Sequence, residues 1–356
     1  MQLIGTLELI EIQEEDLSGL GQFVSSVFGK PEGDVVEWFG HWWRRNPYWR
    51  PYIPRGWALV DDRREILAFT ANIPVPYMVY GSEKICAVTG TTSVHPKWRG
   101  RGLAKRVGRP FTEQKNISLL LGVDPSPPAL HVWQSLGMTS ISLQWPRERN
   151  KVFVSYQERL QDVARTAKSQ MAHKLMLLLG RGLDKMDARC PGRAALSVCH
   201  QQTPISPADD GTIRTCRASR LDIYPYRDTE TLNWLYFDSS IRNARTMFVA
   251  RDSGVFLGFA CFKRINQVLF LLECRTVDCD ANVSSALIRA ARHYWAHKGG
   301  SHLLIWPYSP MIEKSVPSPL CTDGGFPPMA YCYRASAEID THTWERTPGD
   351  GDISLY

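Results

Sequence analysis

The sequence predicts a mixed α/β protein in which one domain plan occurs twice in tandem. Three observations carry that expectation. Between Gly56 and Trp145, short period-two or apolar segments alternate with amphipathic ones in the order strand, strand, strand, loop, helix, strand, helix, strand. The loop in that series holds two glycines and three basic side chains. From Thr212 onward the same order of elements starts again, a repeat of a whole domain rather than of a short solenoid unit.

Composition agrees with two soluble domains. The 356 residues suffice for two separate cores, and 44% hydrophobic with 22% charged residues is globular. No apolar run approaches the ~20 residues of a membrane helix. Met1-Gln2-Leu3-Ile4-Gly5 carries no basic segment followed by an apolar one, so no signal peptide and a cytoplasmic location are expected. The net charge of +6 is spread over loops. It does not indicate nucleic acid and suits a small anionic ligand equally well. The nine cysteines form no Cys-x-x-Cys pair, and Cys86, Cys261, Cys274 and Cys332 lie in apolar runs. Reduced core thiols are expected, with neither zinc nor disulfides.

Taken in order, Thr6 to Ile12 alternates as a strand, and Glu14-Glu15-Asp16 opens a helix that Gly29 ends. A second helix is expected over Asp34 to Arg45, stopped by Asn46-Pro47. It carries Trp38, Phe39, Trp42 and Trp43. Four large aromatics in six positions exceed one narrow face, so Trp38 and Trp42 are candidates to line a cleft. Gly56 to Val60 and Ile66 to Tyr80 form a hairpin about Asp61-Asp62-Arg63-Arg64. A third strand spans about Lys84 to Val94, where Gly90 and the following threonines suggest a bulge. Leu103 to Gln114 is a helix, Ile117 to Val123 a buried strand, Ala129 to Leu136 a helix opened by prolines, and Ile141 to Trp145 a strand.

The loop between the third strand and the helix reads His95-Pro96-Lys97-Trp98-Arg99-Gly100-Arg101-Gly102-Leu103-Ala104. Glycines let backbone N–H groups approach an anion closely while the positive end of the following helix faces it. Lys97, Arg99 and Arg101 raise the local potential further. The order is neither a Walker loop nor a dinucleotide fingerprint, since it lacks Gly-Lys-Ser/Thr and Gly-x-Gly-x-x-Gly.

Beyond the first domain, Lys151 to Leu183 has helical periodicity and Asp187 to Asp210 collects proline, glycine and small polar residues as a linker would. Met247 to Ala260 echoes the hairpin Trp57 to Thr70, followed by a strand Val268 to Val277, a helix Ala281 to Lys298 and a strand His302 to Trp306. In this copy Asp278-Cys279-Asp280-Ala281-Asn282 stands where the glycine and arginine turn should be, and two aspartates would repel a phosphate.

Arg99-x-x-Gly102-x-Ala104, after a strand ending in Val-x-Pro, resembles the pyrophosphate loop of the GNAT superfamily of acyl-CoA N-acyltransferases, over about Trp57 to Met138. The resemblance implies two GNAT-like domains. The first, residues 1–150, would hold acetyl-CoA or another acyl-CoA; 151–210 would be a helical connector and linker; 211–345 a degenerate copy without CoA; and 346–356 a polar tail. It implies cofactor contacts from Thr92, Val94, Arg99, Gly100, Arg101, Gly102, Leu103 and Ala104, and acyl transfer to a small-molecule amine such as an amino sugar or amino acid. Many relatives carry an acid tyrosine where this chain has Trp133, so Trp133 is read as a substrate-facing wall and not as an acid. Glu83, His131 and Asp124, with Glu37, are the candidate acid and base groups by position. Alternative readings are an aminoacyl-tRNA-dependent transferase of Fem-like type, with tRNA as partner, and a non-catalytic CoA-binding protein.

Overall fold

The computed structural model describes residues 6–123, 125–142, 150–153, 160, 163, 174–176, 178–179, 196–238, 245–266, 268–300, 302–305, 309–316, 321–323, 330–336, 339–340, 342, 344 and 345. The chain forms two compact units. Residues 1–144, 221–226 and 329–356 make the first; 145–220 and 227–328 make the second.

In the first half of the chain the elements are β1 (Glu8–Glu11), α1 (Leu17–Phe28), α2 (Glu32–Phe39), β2 (Gly56–Val60), β3 (Ile66–Val79), β4 (Ser82–Val94), α3 (Leu103–Thr112), β5 (Leu119–Val123), α4 (Pro127–Ser135) and β6 (Thr139–Ser142). The β2–β3 turn is closed by the Asp61 carboxylate, which accepts from the N–H groups of Arg63 and Glu65 at 2.9 Å each. Period-two alternation gives the sheet two apolar faces. Ala58, Phe69, Ala71 and Ile73 meet α1 and α2, while Trp57, Leu59, Leu67 and Leu120 meet α3 and α4 through Val107, Phe111 and Trp133.

The second helix departs from the expected Asp34 to Arg45. It starts at Glu32, and after Phe39 it widens into a π-helical turn, Gly40–Arg44. The widening lets Phe39, Trp42 and Trp43 all turn inward, each no more than 1% exposed, and Trp43 Nε1 donates to the Asn72 carbonyl at 3.0 Å. Trp42 is therefore a core side chain, not a cleft residue. Each such ring contributes about 1.5–3 kcal/mol through burial.

The rest of the chain contains β7 (Asn150–Phe153), β8 (Leu196–Gln201), α5 (Asp210–Ile213), β9 (Ile223–Pro225), α6 (Thr229–Phe237), β10 (Arg245–Asp252), β11 (Val255–Ile265), β12 (Val268–Thr276), α7 (Ala281–His297), β13 (His302–Ile305), α8 (Pro310–Ser315), β14 (Cys321–Asp323) and β15 (Ala330–Ala335). The linker expected over 187–210 holds β8, whose Leu196-Ser197-Val198-Cys199 alternates as a strand should. The helix expected from Lys151 begins instead as β7, and most of its remainder, like the 346–356 tail, lies outside the described residues.

Among the described residues the first unit's sheet runs β1-β2-β3-β4-β5-β15-β6, with β9 paired to β3, and the second unit's runs β14-β7-β13-β12-β11-β10-β8. The two orders match strand for strand at one end. In each, a last strand lies antiparallel between two others, but it comes from the other half of the chain: β15 sits between β5 and β6, and β7 between β13 and β14. Instead of contiguous domains at 1–150 and 211–345, the two halves exchange their final strands, a long-range pairing that no local pattern encodes.

Candidate functional site

Strand β4 pairs with β5 in parallel only over Ala87↔Leu120, Val88↔Leu121 and Thr89↔Gly122. Beyond that point β4 continues to Val94 without a ladder partner on that side, so its N–H and C=O groups face a gap. The expected bulge marks the same place: the β3–β4 register shifts between Phe69 and Ala71, and Thr91 adopts a left-handed φ of 46°. A β-branched residue there stores about 1–3 kcal/mol of strain. The hydroxyls of Thr70, Thr89 and Thr92 brace the bulge in a triangle with edges of 2.6–3.0 Å.

The gap opens into two adjoining cavities. One, of about 600 Å³, is lined by Thr92, Ser93, Val94, Arg99, Gly100 and Gly102 to Lys105 on one side and by Ser126, Ala129 and Trp133 on the other. The second, of about 360 Å³, shares Phe28, Thr92, Ser126, Ala129 and Trp133 with it and adds Trp38, Lys30 and Thr91. The hydroxyls of Thr91 and Ser93 are buried without a hydrogen-bond partner among the described residues, Thr91 at the smaller cavity and Ser93 at the larger. Buried groups of this kind are commonly satisfied by a ligand or water.

At the mouth of the larger cavity, Gly100 and Gly102 take φ of 77° and 75°. The space around both is open, so the backbone conformation, not crowding, requires glycine. Gly102 is the N-cap of α3, and it supplies no side-chain capping bond. The first intrahelical bond runs from Arg106 N–H to the Gly102 carbonyl, leaving the N–H groups of Leu103, Ala104 and Lys105 at the helix end without one from the helix. From His95 to Thr112 there are six basic residues and no acid. Arg99 Nε donates to the Val94 carbonyl at 3.2 Å, and the Arg101 guanidinium, itself not among the lining residues, lies over the ring of Trp98, which is, at 4.7 Å. The arrangement is a cationic anion cradle leading into a narrow, partly apolar cleft.

Several expected residues lie elsewhere. Glu83 is exposed near the start of β4, some nine residues or ~30 Å of strand from Thr92. His131 points to solvent from α4, Glu37 pairs with Arg45 at 3.1 Å, and Asp124 lies outside the described residues. Trp133 is 1% exposed, packs on Phe111 at 5.6 Å and walls both cavities; Trp38 lines the smaller one. Lys30, Thr91 and Ser93 were not expected from the sequence. Beyond Thr89 the backbone of β4 has no ladder partner on the β5 side, which is the signal that singles out Thr91 and Ser93.

The second unit closes the equivalent place. Asp280 caps α7, its carboxylate accepting from the N–H groups of Asn282 and Val283 at 2.8 and 3.4 Å. The helix end that holds an open cradle in the first unit is thus filled by the protein's own anion. Helix α8 packs beside it: Ser315 Oγ donates to the Ala281 carbonyl at 3.2 Å and Thr276 Oγ1 to Met311 Sδ at 3.2 Å.

No protein-family model matches the sequence, and no curated protein does. Solved structures do. A protein of unknown function from Enterococcus faecalis V583, described as a probable N-acyltransferase, superposes with a TM-score of 0.57 at 12% identity, covering 92% of this chain and 72% of its own. A GCN5-related N-acetyltransferase from Anabaena variabilis ATCC 29413 gives 0.57 at 11%, covering 93% and 73%. The N-myristoyltransferase of Saccharomyces cerevisiae with bound myristoyl-CoA gives 0.53 at 12%, covering 98% and 89%. With the splayed β4 and β5, the glycine cradle at α3 and these likenesses together, the chain has the fold of the GNAT superfamily of acyl-CoA N-acyltransferases.

Proposed function

We propose that this chain is an N-acyltransferase that moves an acyl group, acetyl first among the candidates, from acyl-CoA to the amine of a small molecule. The observation that carries the reading is the uncapped, cationic start of α3 at the mouth of a cleft that continues along the unpaired edge of β4. Acyl-CoA would supply an activated thioester carbonyl and a thiolate leaving group. The residues present fit it: amides of Leu103 to Lys105 for a pyrophosphate, the free edge of β4 for an amide-bearing arm, and the orphaned hydroxyls of Thr91 and Ser93 for polar atoms deeper in.

The chain's own contribution is orientation and the exclusion of water. Trp133 and Trp38 wall the inner cavity with apolar surface, so a thioester held there is shielded. Ser126, at the N-cap of α4 without a side-chain capping bond, lines both cavities, and its hydroxyl is suited to hydrogen-bond the departing sulfur. No described lining residue is Asp, Glu, His or Tyr. The amine therefore enters neutral or loses its proton to water, and turnover should rise with pH toward the acceptor's own pKa.

A described lining without carboxylate, imidazole or phenol also favours a second reading, a CoA-binding protein without catalysis. Thiol release from acetyl-CoA over a panel of primary amines separates the two. Amine-dependent release that climbs with pH and falls by less than about a hundredfold in Trp133→Phe is expected for the enzyme. CoA binding without release for any amine would support the second reading.

A further inference from the structure

A cavity of about 890 Å³, larger than either cavity of the first unit's cleft, lies wholly in the second unit and shares no residue with that cleft. It sits at the sheet end marked by the pairs Met247↔Gln201 and Arg245↔Lys263, whereas the Asp280 cap lies at the opposite end, near Gly258↔Thr276. Its position is therefore not that of a degenerate CoA cleft.

Arg245 defines its chemistry. The residue is 7% exposed, and neither terminal guanidinium nitrogen has a hydrogen-bond partner among the described residues. Burial lowers its pKa to about 10, which leaves it cationic at neutral pH. The Tyr236 ring lies 5.7 Å away, and Asp238 is near enough to favour the cation without bonding to those nitrogens. Nor can the buried carboxylate bonded to that same Tyr236 serve it. Glu273 is already taken by Arg227 at 2.9 Å, Arg275 at 3.2 Å and the Tyr236 hydroxyl at 2.5 Å. Burial alone would raise the Glu273 pKa, but those two guanidiniums and the hydrogen bonds from Arg227 and Tyr236 hold it below the usual carboxylate range.

A buried guanidinium with both forks unused is costly unless something outside the chain supplies the counter-charge. The cavity around it adds Arg264 and Lys298 and, among the described lining residues, no acid. Its walls are aromatic: Tyr236, Phe237, Tyr294 and Trp295 contribute rings, and His200 packs against Tyr294 at 4.6 Å with the two rings tilted by 44°. We propose that this cavity binds a small organic anion, a ring bearing a carboxylate or phosphate, with the anionic group on the Arg245 fork and the ring among the aromatic side chains.

Calorimetry on the full chain tests this with phenyl phosphate, benzoate, inorganic phosphate and neutral benzamide. At least one ring-bearing anion should bind more tightly than inorganic phosphate and benzamide, the better of the two telling phosphate from carboxylate. Arg245→Met should weaken that binding by at least about tenfold and raise the melting temperature of the unliganded chain, because an uncompensated buried charge is gone. Should Arg245→Met fail to fold, Arg264→Ala and Lys298→Ala carry the test, and weaker binding at unchanged melting temperature supports the site. Gly102→Asp should leave the affinity as it is. The proposal is overturned if neither ring anion binds below about 10 mM, if benzamide binds equally well, if affinity survives all the charge-removing variants, or if it disappears with Gly102→Asp.

Discussion

Gly102→Asp is expected to weaken CoA binding by at least about a hundredfold while leaving the protein folded. The second unit shows what the substitution would build: there a carboxylate, Asp280, accepts from the N–H groups of Asn282 and Val283 and occupies the helix end. An aspartate at 102 would do the same to the amides of α3 and would repel the ligand's phosphates as well. Losing two charge-assisted hydrogen bonds, each worth about 1.5–3 kcal/mol, accounts for a change of that size. Stability should move little. The left-handed φ of 75° strains a side chain by about 1–2 kcal/mol, and a new N-cap offsets that by a similar amount. Calorimetric titration with CoA, beside a melting curve, checks both halves; unchanged CoA affinity would remove the cradle from the account.

Deleting residues 211–356 is expected to leave a first half that does not fold, as read by circular dichroism and by loss of cooperative melting. Taken as contiguous domains, the two halves would suggest the opposite. Strand β15 is why they do not: it pairs with β5 over five residues and with β6 over four, and it buries Tyr331 and Cys332 at no more than 1% exposure. Cys332 lies so close to β5 that a Cβ on Gly122 would come within 2.5 Å of its sulfur. Burial of two such side chains is worth about 3–5 kcal/mol. With both ladders gone the loss rivals the ~5–15 kcal/mol by which a domain is stable. A shortened chain that melts cooperatively and still binds CoA would show that β15 is dispensable. Restoring residues 329–345 through a linker should rescue folding in part.

What was legible in the sequence was local. The hairpin of β2 and β3, the break at Gly90 to Thr92, the cradle from Arg99 to Ala104 and the duplicated hairpin of β10 and β11 each depend on neighbours in the chain, where periodicity and glycine placement carry the signal. The exchanged strands were not legible, because β7 and β15 are short and their partners lie in the other half of the chain. Glu83 and Thr92 share one strand, and a strand's pattern does not say which end meets a ligand. Trp42 was misplaced by one turn of helix geometry: the π-helical turn after Phe39 rotates it inward, leaving Trp38 as the ring of the four that lines a cavity. Arg245 carried no signal at all, since its burial depends on α6 and β10 coming together.

Hydrogen exchange of the full chain with and without acetyl-CoA tests the central claim most directly. Added acetyl-CoA should slow exchange in peptides containing Ser93, Val94 and Leu103 to Lys105, and leave Val277 to Val283 unchanged, with saturation at one ligand per chain. Protection that appeared at Val277 to Val283, or a saturated complex with no protection along β4 and the start of α3, would contradict the account.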